Sequence, residues 1–260
     1  MLTSTRNPLI KNLRQLGLST KARRQQQLFL IEGTHALIEA IATDHPLNLI
    51  CCTEAWRDTH ADLYDQCLSV GELQLVSPEV LGAITTTVHP DGVVAVAPIC
   101  SDQPVTIHNL GLAIESVQDP GNLGAIIRSA VAAGIDGLLV SSDSVDLTHP
   151  KILRATAGQW FRCPMQSVGN LESEIKQLQT QGIQAIATLP NAKLTYWDLD
   201  FSQPSLILLG NEGNGLSSEL INLADEAVQV PLSNGVESLN LAVTAALLIY
   251  EAKRQRRSLS

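Results

Sequence analysis

Three segments in the second half of the chain hold the residues best suited to chemistry. The first runs Glu115-Ser-Val-Gln-Asp-Pro-Gly-Asn-Leu-Gly-Ala-Ile-Ile-Arg128. Its glycines permit tight turning and close backbone approach. Asn122 suits the cap of a following helix, and Arg128, between one and two turns further on, is placed to reach a phosphate near the mouth of a site. The second is Leu209-Gly-Asn-Glu-Gly-Asn-Gly-Leu216, with Glu212 as its single charge. Such a backbone exposes several N–H and C=O groups to a small bound molecule. The third is Val230-Pro-Leu-Ser-Asn-Gly-Val-Glu-Ser-Leu-Asn-Leu241. Here Ser238 is expected to cap the last helix, with Asn240 in its first turn. Each segment also has a plainer reading: the glycines as ordinary bends, Arg128 as a surface arginine, Ser238 as a cap alone.

What these loops lack narrows the chemistry. They hold no His, Cys or Lys, and no Ser–His–Asp set is readable anywhere in the chain. Metal-ligand clusters and paired catalytic carboxylates are also missing, so no metal site is expected. The first loop is neither GxGxxG nor GxxxxGK[ST], which removes the usual support for dinucleotide or nucleotide-hydrolysis readings. A reaction governed by orientation and electrostatics, rather than by a covalent nucleophile, fits these residue types.

The elements around the loops read as α/β. Apolar runs at Leu110–Glu115, Gly137–Val140, Ile183–Ala187, Leu206–Leu209 and Val228–Val230 are strands, apolar nearly throughout rather than alternating. That suits a mostly parallel sheet covered on both faces. Helices are expected at Leu123–Ala133, Pro150–Ala157, Leu171–Gln179 and from Leu239 to Arg256. All three loops follow strands, where ligands of such sheets sit. The first hundred residues read as a smaller α/β layer: a basic helix over 5–27, strands near 28–31, 47–51, 73–76 and 92–97, helices at 34–42 (capped by Thr34), 59–69 and from Ser77. Pro98, Pro104 and the polar residues between them mark a linker.

Net charge is −9, which by itself argues against nucleic acid, but the charge is uneven. Residues 1–35 carry Arg6, Lys11, Arg14, Lys21, Arg23 and Arg24 against Glu32 alone, and the last ten carry four cations against Glu251. Basic ends on an acidic body suit a polyanion gripped locally. Aromatic residues are only 3%, so a broad stacking platform for single-stranded bases is not expected. The five cysteines form no CxxC pair and read as free thiols of a reducing cytoplasm. The N-terminus shows no signal stretch, and the longest apolar helix candidate, 239–250, is too short to span a bilayer.

DPGNLGAIIRSA at 119–130, LLGNEGNGLS at 208–217 and VPLSNGVESLNLAVTAALLIYEA at 230–252 resemble, in order and spacing, the signature motifs of the SpoU/TrmH-type RNA 2′-O-ribose methyltransferases of the SPOUT superfamily. HPKILRATAGQWFRCP, 149–164, resembles a segment between the first two motifs, and FLIEGTHALIEA, 29–40, resembles a ribosomal-protein-like RNA-binding domain. The resemblance implies a knotted α/β methyltransferase domain over 107–260 behind an RNA substrate-binding domain over 1–100. It implies S-adenosylmethionine as cofactor, RNA (ribosomal above all) as substrate, a homodimer, a cytoplasmic location, and neither DNA nor membrane as partner. Carried onto this sequence, it makes Asn122, Arg128, Glu212, Ser238 and Asn240 catalytic. The cofactor would rest on backbone near Leu209, Gly210, Gly213, Val230, Leu232, Ser238 and Leu239, while the six N-terminal cations bind RNA. Trp160 departs from the family's smaller apolar residue there, and core packing, a dimer contact or the substrate mouth are all open to it. The competing expectations are a catalytically silent RNA-binding or assembly protein on this fold and a small-molecule methyltransferase.

Overall fold

The computed structural model describes residues 1–100 and 104–257; the middle of the linker expected between Pro98 and Pro104 lies outside them. The chain divides into two compact units, Met1–Ser101 with Asp146–Arg162, and Asp102–Val145 with Cys163–Ser260. The sequence places 146–162 in the second domain; by its contacts this segment packs with the first unit.

The first unit is built on a four-stranded sheet ordered β1-β4-β2-β3, from β1 (Leu28–Glu32), β2 (Leu49–Cys52), β3 (Glu72–Leu75) and β4 (Val93–Pro98). β4 runs antiparallel to both neighbours, while β2 and β3 are parallel. Residues alternate between faces. Leu30, Cys51, Val94 and Val96 meet Ile10, Leu13 and Leu16 of α1 (Pro8–Leu18) on one side. Phe29, Ile31, Ile50 and Ala95 meet α3 (Thr34–Ala42) on the other. The basic segment expected as one helix is two: α1 ends at Ser19, whose hydroxyl caps α2 (Thr20–Gln26) by accepting from Ala22 N–H. Thr34 does not cap α3; Gly33 holds that position with φ +99°, and Asp91 accepts the Thr34 N–H at 2.7 Å. The helix expected at 59–69 is α4 (Glu54–Thr59) followed by α5 (Ala61–Val70). α6 (Pro78–Ile84) has Ser77 as cap, as its Ser-Pro start required. Trp160 packs against Phe29 at 5.1 Å and donates to Leu147 C=O at 2.8 Å, partly buried against this unit's core.

The second unit is a seven-stranded, wholly parallel sheet ordered β7-β6-β5-β10-β8-β11-β9. Its strands are β5 (Leu110–Ile114), β6 (Gly137–Ser141), β7 (Met165–Val168), β8 (Gln184–Thr188), β9 (Leu194–Thr195), β10 (Ser205–Leu209) and β11 (Glu226–Gln229). β5 and β10 sit centrally and every residue of both is buried, the burial on two faces that their unbroken apolar runs predict. Helices α7 (Pro120–Ala133), α9 (Leu171–Thr180), α10 (Ser218–Leu223) and α11 (Leu241–Arg257) flank the sheet, while α8 (Pro150–Ala155) belongs to the first unit. β7, β9 and α10 were not expected from sequence. Among the described residues no helix is long and apolar enough to cross a membrane.

Candidate active site

The chain reverses direction across the sheet at β5 and β10, and loops at the carboxyl ends of these strands meet there. Gly210, the first residue after β10, is held so close to its own returning loop that a Cβ would lie 2.1 Å from the Gly215 carbonyl carbon. Asn211 and Gly215 exchange backbone hydrogen bonds at 3.0 and 2.9 Å, and Asn211 Oδ1 accepts from Gly213 and Asn214 N–H. The second loop is therefore a tight, self-bonded finger. Asn211 Nδ2 donates to Ser116 C=O at 2.8 Å, and Glu115 accepts from Ser217 N–H at 2.7 Å, tying it to the first loop.

The first loop leaves β5 through Ser116, in the left-handed region at φ +54°. Its hydroxyl donates to Asp143, which also receives Ser141 Oγ at 2.5 Å. These hydroxyls hold the Asp143 carboxyl below the usual carboxylate range. Asp119, not Asn122, caps α7, accepting the Asn122 N–H at 2.9 Å with Pro120 in the first turn. That corrects the sequence expectation, and it leaves the Asn122 side chain free of capping.

Freed of that task, Asn122 Nδ2 donates to Glu212 at 3.1 Å, and Asn122 Oδ1 accepts from Asn240 Nδ2 at 2.8 Å. Asn240 Oδ1 in turn accepts from Ala242 N–H at 2.9 Å and Val243 N–H at 3.3 Å. Asn240 thus caps α11 and Ser238 does not, a second correction. Glu212 also accepts the Gln118 and Asp119 N–H groups at 3.3 and 3.2 Å. Burial pushes the Glu212 carboxyl up, but Asn122 and the backbone donors outweigh it, so its net position is below the ordinary value. An ionised Glu212 at one end and a helix N-terminus at the other fix both amide orientations between them.

Around this series lies a cavity of about 720 Å³. It takes Asn122 from the first loop, Gly210–Leu216 from the second, and Val230, Leu232 and Glu237–Leu241 from the third. The three loops meet within one unit. Gly210, Gly213, Val230, Leu232, Ser238 and Leu239 all line this cavity. Leu209 does not: its side chain is fully buried, and its carbonyl accepts Glu115 N–H at 2.8 Å. Thr188 at the end of β8, with Leu189 and Pro190 after it, forms a further wall that sequence reasoning missed. The strand-end rule that located the other loops would have found it; the absence of glycines there hid it.

Arg128 is exposed and outside this lining. Six residues of helix rotate a side chain about 240° around the axis, so Arg128 leaves the face that carries Asn122. Of the six N-terminal cations, Arg6, Lys11, Arg14, Lys21 and Arg24 are exposed. Arg23 is not. It is 1% exposed, paired with Asp146 at 2.7 Å and bonded to Leu16 C=O and Thr20 Oγ1. Its charge is spent inside the first unit, which removes it from an RNA-binding surface.

Residues 109–250 match the model of the SpoU rRNA Methylase family, more than half of the chain. The chain belongs to that family. Residues 7–95 match the MRM3-like substrate binding domain, so the α/β architecture of a SpoU methylase behind a substrate-binding domain is the one the motifs implied. Among SpoU relatives, a tRNA/rRNA methyltransferase of Synechocystis, described as uncharacterized, is 43% identical over 98% of this chain and 94% of its own. The 23S rRNA (guanosine(2553)-2′-O)-methyltransferase of Bacillus subtilis is 31% identical over 97% of this chain and 98% of its own. The crystal structure of the SpoU methyltransferase AviRb from Streptomyces viridochromogenes with the cofactor AdoMet superposes with a TM-score of 0.88 at 29% identity, covering 97% of this chain and 99% of that one.

Proposed function

We propose that this SpoU-family protein methylates a ribose 2′-hydroxyl of ribosomal RNA, using S-adenosylmethionine held in the three-loop cavity, as a cytoplasmic homodimer. The observation that carries the reading is the Glu212–Asn122–Asn240 series along that cavity. The residues fit the cofactor. The volume lies within the roughly 300–1,000 Å³ of small-molecule sites, and its wall mixes apolar Leu189, Val230, Leu232 and Leu239 with polar backbone and Ser238. When bound, the cofactor supplies an electrophilic methyl on a sulfonium, so the chain need supply no nucleophile.

The residues contribute position and field. Each carboxamide nitrogen of Asn122 and Asn240 carries two N–H groups and spends one within the series. The other N–H of each is directed by a rigid frame and serves to orient the acceptor hydroxyl. Ionised Glu212 anchors that frame; with its carboxyl below the ordinary value it is a positioning residue rather than a proton acceptor at neutral pH. Arg128, exposed and without a protein acceptor among the described residues, engages the target phosphate. Because its own helix turns it from its own cavity, we assign it to the cavity of the second subunit. RNA is held by the first unit, with Arg6, Lys11, Arg14, Lys21 and Arg24 as its phosphate contacts. Ribosomal RNA is favoured over transfer RNA by the Bacillus relative's stated substrate.

The test is transfer of labelled methyl from S-adenosylmethionine to ribosomal RNA stripped of modifications, followed by nuclease digestion. The expected product is one labelled 2′-O-methyl nucleoside. Normal cofactor binding with no label in any RNA overturns the substrate assignment.

A further inference from the structure

The first unit holds a second cavity, of about 220 Å³, that the methyl-transfer chemistry does not use. It is lined by Glu32, Gly33, the loop carrying Thr85, Thr87, His89 and Asp91, and by Arg154. Arg154 lies outside the 7–95 segment that matches the substrate-binding domain and inside the 109–250 SpoU match, on the 146–162 stretch that packs with the first unit. Its Nη1 donates to Glu32 Oε2 at 3.0 Å and Thr86 Oγ1 at 2.6 Å. Glu32 itself is 3% exposed at its side chain and accepts both Thr86 N–H and Thr86 Oγ–H. The guanidinium is thereby locked in place, yet a third of the Arg154 side chain remains exposed. A guanidinium has five N–H donors, and no protein acceptor for Nε or Nη2 exists among the described residues. The result is a fixed fork lining a polar hollow.

The charge balance says what the hollow takes. One cation faces two carboxylates, Glu32 and Asp91, so an isolated phosphate would meet net repulsion. A neutral group with acceptors for the fork is favoured. The volume corresponds to about seven waters at ~30 Å³ each, room for one ring system and not for a base pair. Sequence-selective binding of RNA works mainly on such unpaired, splayed bases. Of the four bases, guanine offers a two-acceptor edge, O6 and N7, matched to an arginine fork. It also carries N1–H and N2–H donors suited to a carboxylate such as Asp91. Resting on the assignment of RNA as substrate, we propose that this cavity is a recognition pocket for one unpaired guanine of that RNA, with Arg154 as the specificity-determining residue.

The test uses the full chain and single-stranded heptamers U7, UUUGUUU, UUUAUUU and UUUCUUU, with affinity read by fluorescence anisotropy at fixed salt. A matched bidentate contact discriminates by about tenfold or more, so UUUGUUU should bind about tenfold more tightly than the other three. Arg154→Lys keeps the charge, loses the fork and should abolish the preference while leaving affinity for U7 within about twofold. Should that variant fail to fold, Thr87→Phe, which fills the hollow without touching the Glu32–Arg154 pair, should erase the preference alike. Equal affinity of the wild type for all four oligonucleotides overturns the inference, as does a guanine preference that survives Thr87→Phe. Methyl transfer to stripped RNA is measured in parallel. Methylation without guanine preference sinks the pocket and spares the enzyme; guanine preference without methylation does the reverse.

Discussion

Glu212 is the residue whose chemistry is most open to test. Glu212→Gln keeps the volume but removes the charge that draws in two backbone N–H groups and the Asn122 amide. Turnover should fall about tenfold or more, because hydrogen bonds to charged groups are the stronger ones, while cofactor affinity measured by calorimetry changes little. An equal loss of both would make Glu212 a structural support of the cavity. Arg128→Ala should likewise cost turnover far more than cofactor affinity. Mixing Arg128→Ala subunits with subunits lacking a working cofactor cavity should restore activity to some dimers, and failure of that complementation removes Arg128 from the second subunit's site. The cysteines give a separate check. Burial pushes Cys51 and Cys163 up to about 12, and Cys52 and Cys67 up to about 11, so at neutral pH they are inert thiols. Native protein should take up one alkyl group, on exposed Cys100, and five after denaturation. At this scale the chemistry-bearing residues were legible because glycine and asparagine crowd into three short runs. Their local duties were less so. Asp119 and Asn122 are both capping types, and Pro120 in the first turn was the cue that decided between them.

The elements that aim these side chains impose their own constraints. Gly210→Ala places a Cβ against the backbone of Gly215 and Leu216, which cannot yield as a side chain tip would. The finger must open, taking cavity wall with it. Cofactor affinity should drop by at least about tenfold while melting temperature moves only a few degrees; unaltered affinity would show that the finger does not shape the binding wall. The central strands were readable since burial on both faces forces unbroken apolar runs in β5 and β10. β7, Met-Gln-Ser-Val, was not, because this edge strand is short and mostly not buried. β9 is two residues long, below any periodicity. The N-terminal helical segment has its apolar positions only before Ser19 and only polar and basic residues with Ala22 over 20–27, so periodicity could not show the break that a capping serine makes. Arg128 is a similar case: its distance along the helix is legible, while its azimuth follows from the helical turn of about 100° per residue, which carries it off the face of Asn122.

Taken whole, the molecule ties distant parts of its sequence together through the Arg23–Asp146 pair, with side chains 1% and 13% exposed. Burial pushes the Asp146 carboxyl up, but the Thr148 N–H and the Arg23 charge outweigh it and hold it below its ordinary value. A carboxyl depressed in the folded state stabilises fully above its unfolded pKa, and loses that contribution as pH falls through the folded one. Stability from this pair should therefore be constant from neutral pH down to about 5 and decline below about 4. Asp146→Ala should cost about 3 kcal/mol at neutral pH by leaving Arg23 buried and uncompensated, and should flatten the acid limb of the denaturation profile. A loss under about 0.5 kcal/mol, the range of ordinary surface changes, would show the pair to be incidental. A break between two α/β layers was legible from the prolines and polar residues at 98–104 and the alternation that restarts after them, but the return of 146–162 to the first unit was not, since nothing local in that segment says which sheet it will cover. That return sets a timetable for synthesis. The first unit cannot complete its core until Leu153 and Trp160 have left the ribosome, some sixty residues after its last strand. At roughly 5–20 residues per second, the nascent sheet waits several seconds with Phe29, Ile31 and Ala97 partly uncovered, an interval in which a chaperone would find it.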